Sequence, residues 1–314
     1  MKVFVAGATG AIGRPLLRQL VAAGHEVTGT TRREEHAEGI RAAGATAVVC
    51  NALDTQGVHN ALRQARPEVV VHALTALPPR IDYRGKRDPL AATNRLRREG
   101  TRNLVAAARG AGARRLIAES VAFLYAPQGE RVKDEEAPLF LGAPGPFGEA
   151  VDALADLERQ VTEAEGLEGV VLRYGWLYGP GTSFDRDGSQ TEDVRKRKAP
   201  IVGKGTGVFS FLHVEDAAAA TVAAVEGGPP GIYNVVDDEP APYAEWLPAF
   251  ADAIGARRPW RVPTWLARLV AGPAAAAMAT ELRGASNAKA KRELGWRPRY
   301  PSWREGFLDP AVRG

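Results

Sequence analysis

Seven residues near the start of the chain constrain its fold more than any other feature. Gly7-Ala-Thr-Gly-Ala-Ile-Gly13 lies between a short apolar run, Lys2–Ala6, and a helical stretch, Ile12–Ala23. The first glycine permits a tight turn, and the second lets backbone approach a pyrophosphate. The third lets the helix pack closely on the strand, while the helix N-terminus offers unpaired N–H groups and positive dipole to phosphate. A glycine triplet alone is weak. Here it stands in a strand–turn–helix context, which is what a dinucleotide site requires. Gly7, Thr9, Gly10, Ala11, Ile12 and Gly13 are therefore candidate cofactor-binding residues.

The next strand-like run bears on which dinucleotide is bound. A site for NAD(H) usually places a carboxylate about 20 residues on, to accept from the ribose 2′-hydroxyl. This run ends Thr28-Gly-Thr-Thr-Arg-Arg33, with no carboxylate and two arginines. A 2′-phosphate needs forked cationic donors, which guanidinium supplies. NADP(H) is thus favoured over NAD(H), through Arg32 and Arg33. The competing reading leaves both arginines in solvent, with Glu34 and Glu35 as partners.

Further along, short apolar runs alternate with helical stretches. The pattern predicts strands at Glu26–Thr30, Thr46–Cys50, Val69–Ala73, Arg115–Glu119 and Val170–Arg173. Helices are expected at Glu35–Ala43, Val58–Ala65, Glu99–Arg109 and Glu149–Glu165. Such alternation reads as an α/β fold: a doubly wound parallel sheet of the Rossmann kind, covered on both faces. Beyond about residue 175 the pattern loosens and prolines gather. The expectation is a cofactor domain over 1–175 and a smaller irregular C-terminal substrate lobe over 176–314, with about 208–236 returning to the first domain. The single cysteine, Cys50, excludes a disulfide framework or a cysteine-built zinc site, and no metal is expected. The 41 basic residues are dispersed among 37 acidic ones, so no nucleic-acid partner is expected; the one tight cluster, Arg195-Lys-Arg-Lys198, reads as a solvated loop. The longest apolar window, Val262 to Ala279, is broken by Arg268 and Gly272-Pro273 and reads as a buried helix pair rather than a membrane span. With no leader-like N-terminus, a cytoplasmic location is expected.

Later segments resemble landmarks of the extended short-chain dehydrogenase/reductase family, of the epimerase/dehydratase type. They are Leu172-Arg-Tyr-Gly-Trp-Leu-Tyr-Gly-Pro-Gly181, Ser210-Phe-Leu-His-Val-Glu-Asp-Ala217, Gly231-Ile-Tyr-Asn-Val235 and Lys291-Arg-Glu-Leu-Gly-Trp-Arg-Pro298, in family order with the glycine turn. The resemblance implies that Asn51 and Ala52 lie near the adenine and that Ala73, Leu74 and Thr75 line the cofactor. It also implies a small-molecule substrate, and a homodimer formed through the helices near 99–110 and 149–165.

The same resemblance exposes a gap. The family's Tyr-x-x-x-Lys pair moves a proton to or from the substrate oxygen. Its expected place, after Ala143-Pro-Gly-Pro146, reads Phe147-Gly-Glu-Ala-Val151. No tyrosine lies between Tyr125 and Tyr174, and no lysine between Lys133 and Lys196, so no local realignment restores it. Only 8 of the 41 basic residues are lysines, against 33 arginines, so few lysines are available for the role anywhere. The family's Ser/Thr position is Val121, its Asn-x-x-Gly-Thr is Arg97-Arg-Glu-Gly-Thr101, and the sugar-diphosphate arginine position is Phe209. A UDP-sugar is therefore disfavoured and a less polar substrate expected. Ser120, Tyr174 and Tyr178 become the candidate catalytic hydroxyls. His213 is weighed as an assistant against a role at a helix start. Three readings remain open: an NADP(H)-dependent reductase or dehydrogenase with a rebuilt proton relay, a non-redox enzyme, or a non-catalytic NADP(H)-binding protein.

Overall fold

A computed structural model describes residues 1–78, 80–81 and 88–313. Seven strands form one parallel sheet: β1 (Lys2–Ala6), β2 (Glu26–Thr31), β3 (Thr46–Val49), β4 (Val69–His72), β5 (Arg115–Val121), β6 (Glu168–Tyr174) and β7 (Gly231–Val235). Their order is β3-β2-β1-β4-β5-β6-β7. The strand order reverses between β1 and β4, the place where open α/β sheets receive ligands.

The strands are apolar on both sides because helices cover both. Alternate residues face opposite ways. Val3 and Val5 of β1, with Ile117 and Leu172, pack under α1 (Gly13–Ala22) and a later helix, Val214–Glu226. Phe4 and Ala6 face the other way, with Val70, Leu116 and Val171. That face is covered by Thr55–Ala65, Thr101–Gly110 and Gly145–Thr162. In chain order the helices used below are α2 (Ala37–Ala42), α3 (Thr55–Ala65), α4 (Ala91–Arg95), α5 (Thr101–Gly110), α6 (Gly145–Thr162), α7 (Ser189–Arg195) and α8 (Val214–Glu226).

Two elements differ from expectation. The stretch read as starting at Glu99 is longer, because α4 runs through a π-turn, Leu96–Gly100, into α5. A π-turn disrupts the apolar period, which hid the first half. The segment read as a buried helix pair is indeed two helices, Thr264–Val270 and Pro273–Glu281. It is not buried throughout: Trp265, Leu269 and Val270 are largely exposed. No described helix is long and apolar enough to cross a membrane.

The rest of the chain gathers around an aromatic core of Tyr178, Phe184, Phe211, Trp246, Phe250, Trp303 and Phe307. Short strand pairs stitch this lobe together. Trp176–Tyr178 continues from β6 and pairs with Phe211–His213, so the lobe grows directly from the carboxyl edge of the main sheet.

Candidate functional site

The glycine turn is a cradle in which two glycines are sterically obligatory. Gly7 has φ 100°, and a Cβ there would overlap Ala73 O and lie 2.6 Å from Ala73 C. A Cβ on Gly13 would lie 2.6 Å from Ala8 C. Gly10 differs: a Cβ there would meet only Gly7 O, at 3.4 Å, and otherwise enter open space. The N-cap of α1, Ile12, supplies no side-chain cap. Arg14 N already donates to Gly10 O (3.2 Å) and Pro15 has no N–H, so the donors left for a ligand are the N–H groups of the turn that leads into α1. Arg14 Nε donates to Thr9 O (3.1 Å), fixing the loop, and Gly181 approaches to 3.9 Å from Ala11 if given a Cβ. This donor set and space suit the pyrophosphate of a dinucleotide.

At the other end, β2 stops at Thr31, whose hydroxyl accepts from Arg33 N (3.2 Å). Arg33 pairs with Glu35 (2.9 Å), and Glu34 pairs with Arg41 (3.0 Å). Glu35 thus neutralises Arg33 and Glu34 is taken by Arg41, which leaves Arg32. Arg32 is exposed and has no side-chain partner among the described residues. Asn51 is exposed, and its Oδ1 accepts from Leu53 N (3.1 Å). Ala52 is buried and its carbonyl accepts from Asn103 Nδ2 (2.9 Å). Ala73 and Leu74 are half-buried and Thr75 exposed, all on the loop after β4.

That loop is held by a relay. Leu74 N donates to His72 Nδ1 (3.2 Å), His72 Nε2 meets Thr101 Oγ1 (3.0 Å), and Thr101 Oγ1 donates to Arg97 O (2.5 Å). Burial, with Arg97 nearby, drives His72 down to about 4, so the ring is neutral. An accepting Nδ1 then puts the proton on Nε2.

The expected relay helix carries no polar pair. Val151 is fully buried and packs with Leu124, Leu154, Val121, Leu139 and Phe147. The candidate hydroxyls are placed as follows. Ser120 is fully buried and donates to Glu158 Oε1 (2.6 Å). Glu158 is also bound by Arg173 through Nε (2.8 Å) and Nη2 (2.7 Å). Tyr174 OH meets Thr221 Oγ1 (2.6 Å), and burial raises its pKa. Tyr178 is fully buried, its hydroxyl without a partner among the described residues; burial and nearby Asp237 and Asp216 raise its pKa. The geometry therefore gives Ser120 and Tyr174 protein partners and encloses Tyr178 against Gly306. His213 caps α8, its Nδ1 accepting from Glu215 N (3.2 Å).

Two ionisable residues at this edge escaped the sequence reading as site residues: Glu119 and Arg97. Glu119 interrupts the run Leu116-Ile-Ala with a carboxyl, the one signal that marked it. Beyond the end of β5, Phe123 stacks on Trp176 (centroids 4.4 Å apart, 19° between planes). Trp176 in turn lies 5.3 Å from Phe209, so the position of the diphosphate-binding arginine belongs to an aromatic patch.

Strand order, glycine turn and crossovers together define an α/β protein of the Rossmann type. Residues 3–235 match the family model described as the NAD dependent epimerase/dehydratase family, and the chain belongs to that family. It is 50% identical over 309 residues, 98% of its own length and 99% of the other's, to a 3-diazoavenalumate denitrifying reductase of Streptomyces sp. It is 27% identical to a 2-alkyl-3-oxoalkanoate reductase of Stenotrophomonas maltophilia, over 82% of this chain and 77% of that one. Among solved structures, Thermus thermophilus UDP-glucose 4-epimerase in complex with NAD superposes with a TM-score of 0.76, at 26% identity, covering 99% and 98% of the two chains.

Proposed function

We propose that this chain is an NADP(H)-dependent reductase that removes a diazo group, as dinitrogen, from a small, relatively apolar carboxylate. The observation that carries the reading is the 50% identity to a diazo-compound reductase, spanning 98% of this chain and 99% of that one. When bound, the reduced nicotinamide supplies a hydride. The chain's residues supply the rest: the glycine turn and the open end of α1 hold the pyrophosphate, and the Phe123–Trp176 stack offers a flat apolar wall to the substrate. The missing Tyr-Lys pair supports the same reading, since a diazo group presents no carbonyl oxygen for that pair to protonate.

The test is anaerobic incubation of purified protein and NADPH with a panel of diazo carboxylates and a matched panel of ketones. Equimolar loss of NADPH and gain of dinitrogen with the diazo panel supports the proposal. Turnover of ketones alone would give the chain the activity of its 2-alkyl-3-oxoalkanoate reductase relative instead. Substrate loss without NADPH oxidation would make it a non-redox enzyme, and binding of NADPH without any turnover a binding protein. As part of the same proposal, a second copy packs on the outward faces of α5 and α6, along a groove lined by Arg102, Arg109, Arg159 and Glu163. Light scattering at twice the monomer mass supports this, and a monomer removes it.

Preference for NADPH rests on Arg32, just past the end of β2, whose guanidinium has no partner among the described residues. Hydrogen bonds to charged groups contribute about 1.5–3 kcal/mol, or roughly tenfold or more in affinity. Arg32→Ala is expected to raise the Kd for NADPH at least about tenfold and leave that for NADH within twofold. Fluorescence titration with both cofactors measures it, and equal effects on the two would remove Arg32 from 2′-phosphate recognition.

A further inference from the structure

We propose that Glu119 is the proton donor of the reaction and does the work of the absent Tyr-Lys pair. This rests on the reductase reading above. Three geometric facts carry it. In the sheet register Ala118 lies opposite His72, and His72 opposite Ala6. Glu119 therefore sits one step past the last residues of β1 and β4, level with Gly7 and Ala73, at the edge that receives the dinucleotide. Alternation sends Ser120 toward Glu158 of α6, so Glu119 points to the other side of the sheet with Ile117 and Leu172, the side covered by α8 and by α1, the helix proposed to hold the pyrophosphate. Finally, its neighbours Ala118 and Ser120 are fully buried, whereas Glu119 is half-buried and its carboxyl has no hydrogen-bond partner among the described residues. A polar group left unpaired and partly open at a ligand-receiving edge is placed to meet a ligand.

The surrounding charges fit an acid that works near neutrality. Burial raises Glu119 to about 7, against the pull of Arg97, a buried guanidinium in the π-turn that hydrogen-bonds Asn94 Oδ1 (2.9 Å). Tyr174 on β6, neutral and bound to Thr221, shares this face, whereas His72 on β4 points to the other one with Ala118 and is also neutral. π-turns recur at functional sites, and this one carries the cation.

Reduction of a diazo carbon consumes one hydride and one proton, and converts the diazo-bearing carbon to a methylene with release of dinitrogen. The carbon–nitrogen linkage breaks, two C–H bonds form, and both electrons arrive with the hydride. Glu119 gives the proton, remains as a carboxylate eased by the charge of Arg97, and recovers a proton from water. Its pKa near neutrality suits proton transfer to a weakly basic acceptor better than a tyrosine near 10 would.

The test has two readouts. Carboxyl infrared titration of the cofactor-free protein is expected to show one group titrating near pH 7 that Glu119→Gln lacks. In kinetics, Glu119→Gln is expected to bind NADPH within twofold of wild type and lose about 100-fold or more in kcat. Wild-type kcat should fall as pH rises through 7, because the donor must be protonated, and Glu119→Gln should lose that limb. Glu119→Asp should recover part of the rate, and it serves if the glutamine variant misfolds. Wild-type turnover in Glu119→Gln with an unchanged pH profile, or no carboxyl titrating near 7, overturns the assignment while leaving the reductase reading intact. A wild-type protein inactive on diazo and ketone panels alike overturns the reductase reading, and the assignment with it.

Discussion

Replacing Arg173 with alanine is expected to destabilise the protein by about 3–5 kcal/mol, a large part of the usual 5–15 kcal/mol for a folded domain. Arg173 and Glu158 are 3% and 4% exposed, joined by two hydrogen bonds of 2.8 and 2.7 Å. Removing the arginine leaves the carboxylate buried with, among the described residues, the Ser120 hydroxyl alone to solvate it. The damage would spread, because Arg173 Nη1 also donates to Tyr125 OH (3.0 Å), which donates to Asn234 Oδ1 (2.6 Å). Asn234 N in turn donates to Glu135 Oε1 (2.7 Å). One guanidinium therefore ties β6 to α6, to the loop after β5 and to β7. The double variant Arg173→Leu with Glu158→Leu should be less damaged than the sum of the single changes, since neither charge is then left alone. Denaturant unfolding measures both. A loss under about 1 kcal/mol for Arg173→Ala would mean that water reaches the pair.

This network also shows where the sequence was legible and where it was not. The alternation of strands with helices and the glycine turn could be read because both are local. An apolar run, a turn residue and a helix period all lie within a few positions of one another. Helix α6 was expected, and so was Val151 on its packed face, since Val151, Leu154, Leu157 and Val161 follow the helical period. Glu158 lies on the same helix, yet nothing in the pattern announces that it is buried: its partner Arg173 is on another element, and pairing between elements leaves no periodic trace. Ser120 looked like a free hydroxyl for the same reason. Tyr178 looked like a candidate catalytic hydroxyl, but its surroundings include Gly306 and Phe307, more than a hundred residues away. Glu119 and Arg97 could be noticed as odd residues in their segments. That the charge of Arg97 reaches Glu119 depends on how the π-turn docks against the sheet.

Alanine at position 7 is expected to abolish dinucleotide binding and lower stability, whereas alanine at position 10 should abolish binding alone. The two glycines are three residues apart and fail for different reasons. At Gly7 the backbone has φ 100°, a region that costs L-residues about 1–2 kcal/mol, and the new methyl overlaps the carbonyl of Ala73. Neither side can yield. Ala73 N donates to Ala6 O (2.8 Å), and β1 and β4 are locked from Val3↔Val69 to Ala6↔His72. The strain would separate β1 from β4 at the point where the cofactor enters. At Gly10 the nearest atom to a Cβ is Gly7 O at 3.4 Å, so the fold accommodates a methyl. The space it enters is the space the pyrophosphate needs. Thermal melts should therefore show Gly7→Ala lowered and Gly10→Ala at the wild-type temperature, while NADPH titration shows at least about a 100-fold weakening for both, about 2.7 kcal/mol. Full-strength NADPH binding by Gly10→Ala would mean that the phosphates do not approach the turn, and would remove the cradle from the reductase reading. A Gly10→Ala protein that melts early would instead show that the turn is tighter than its open side implies.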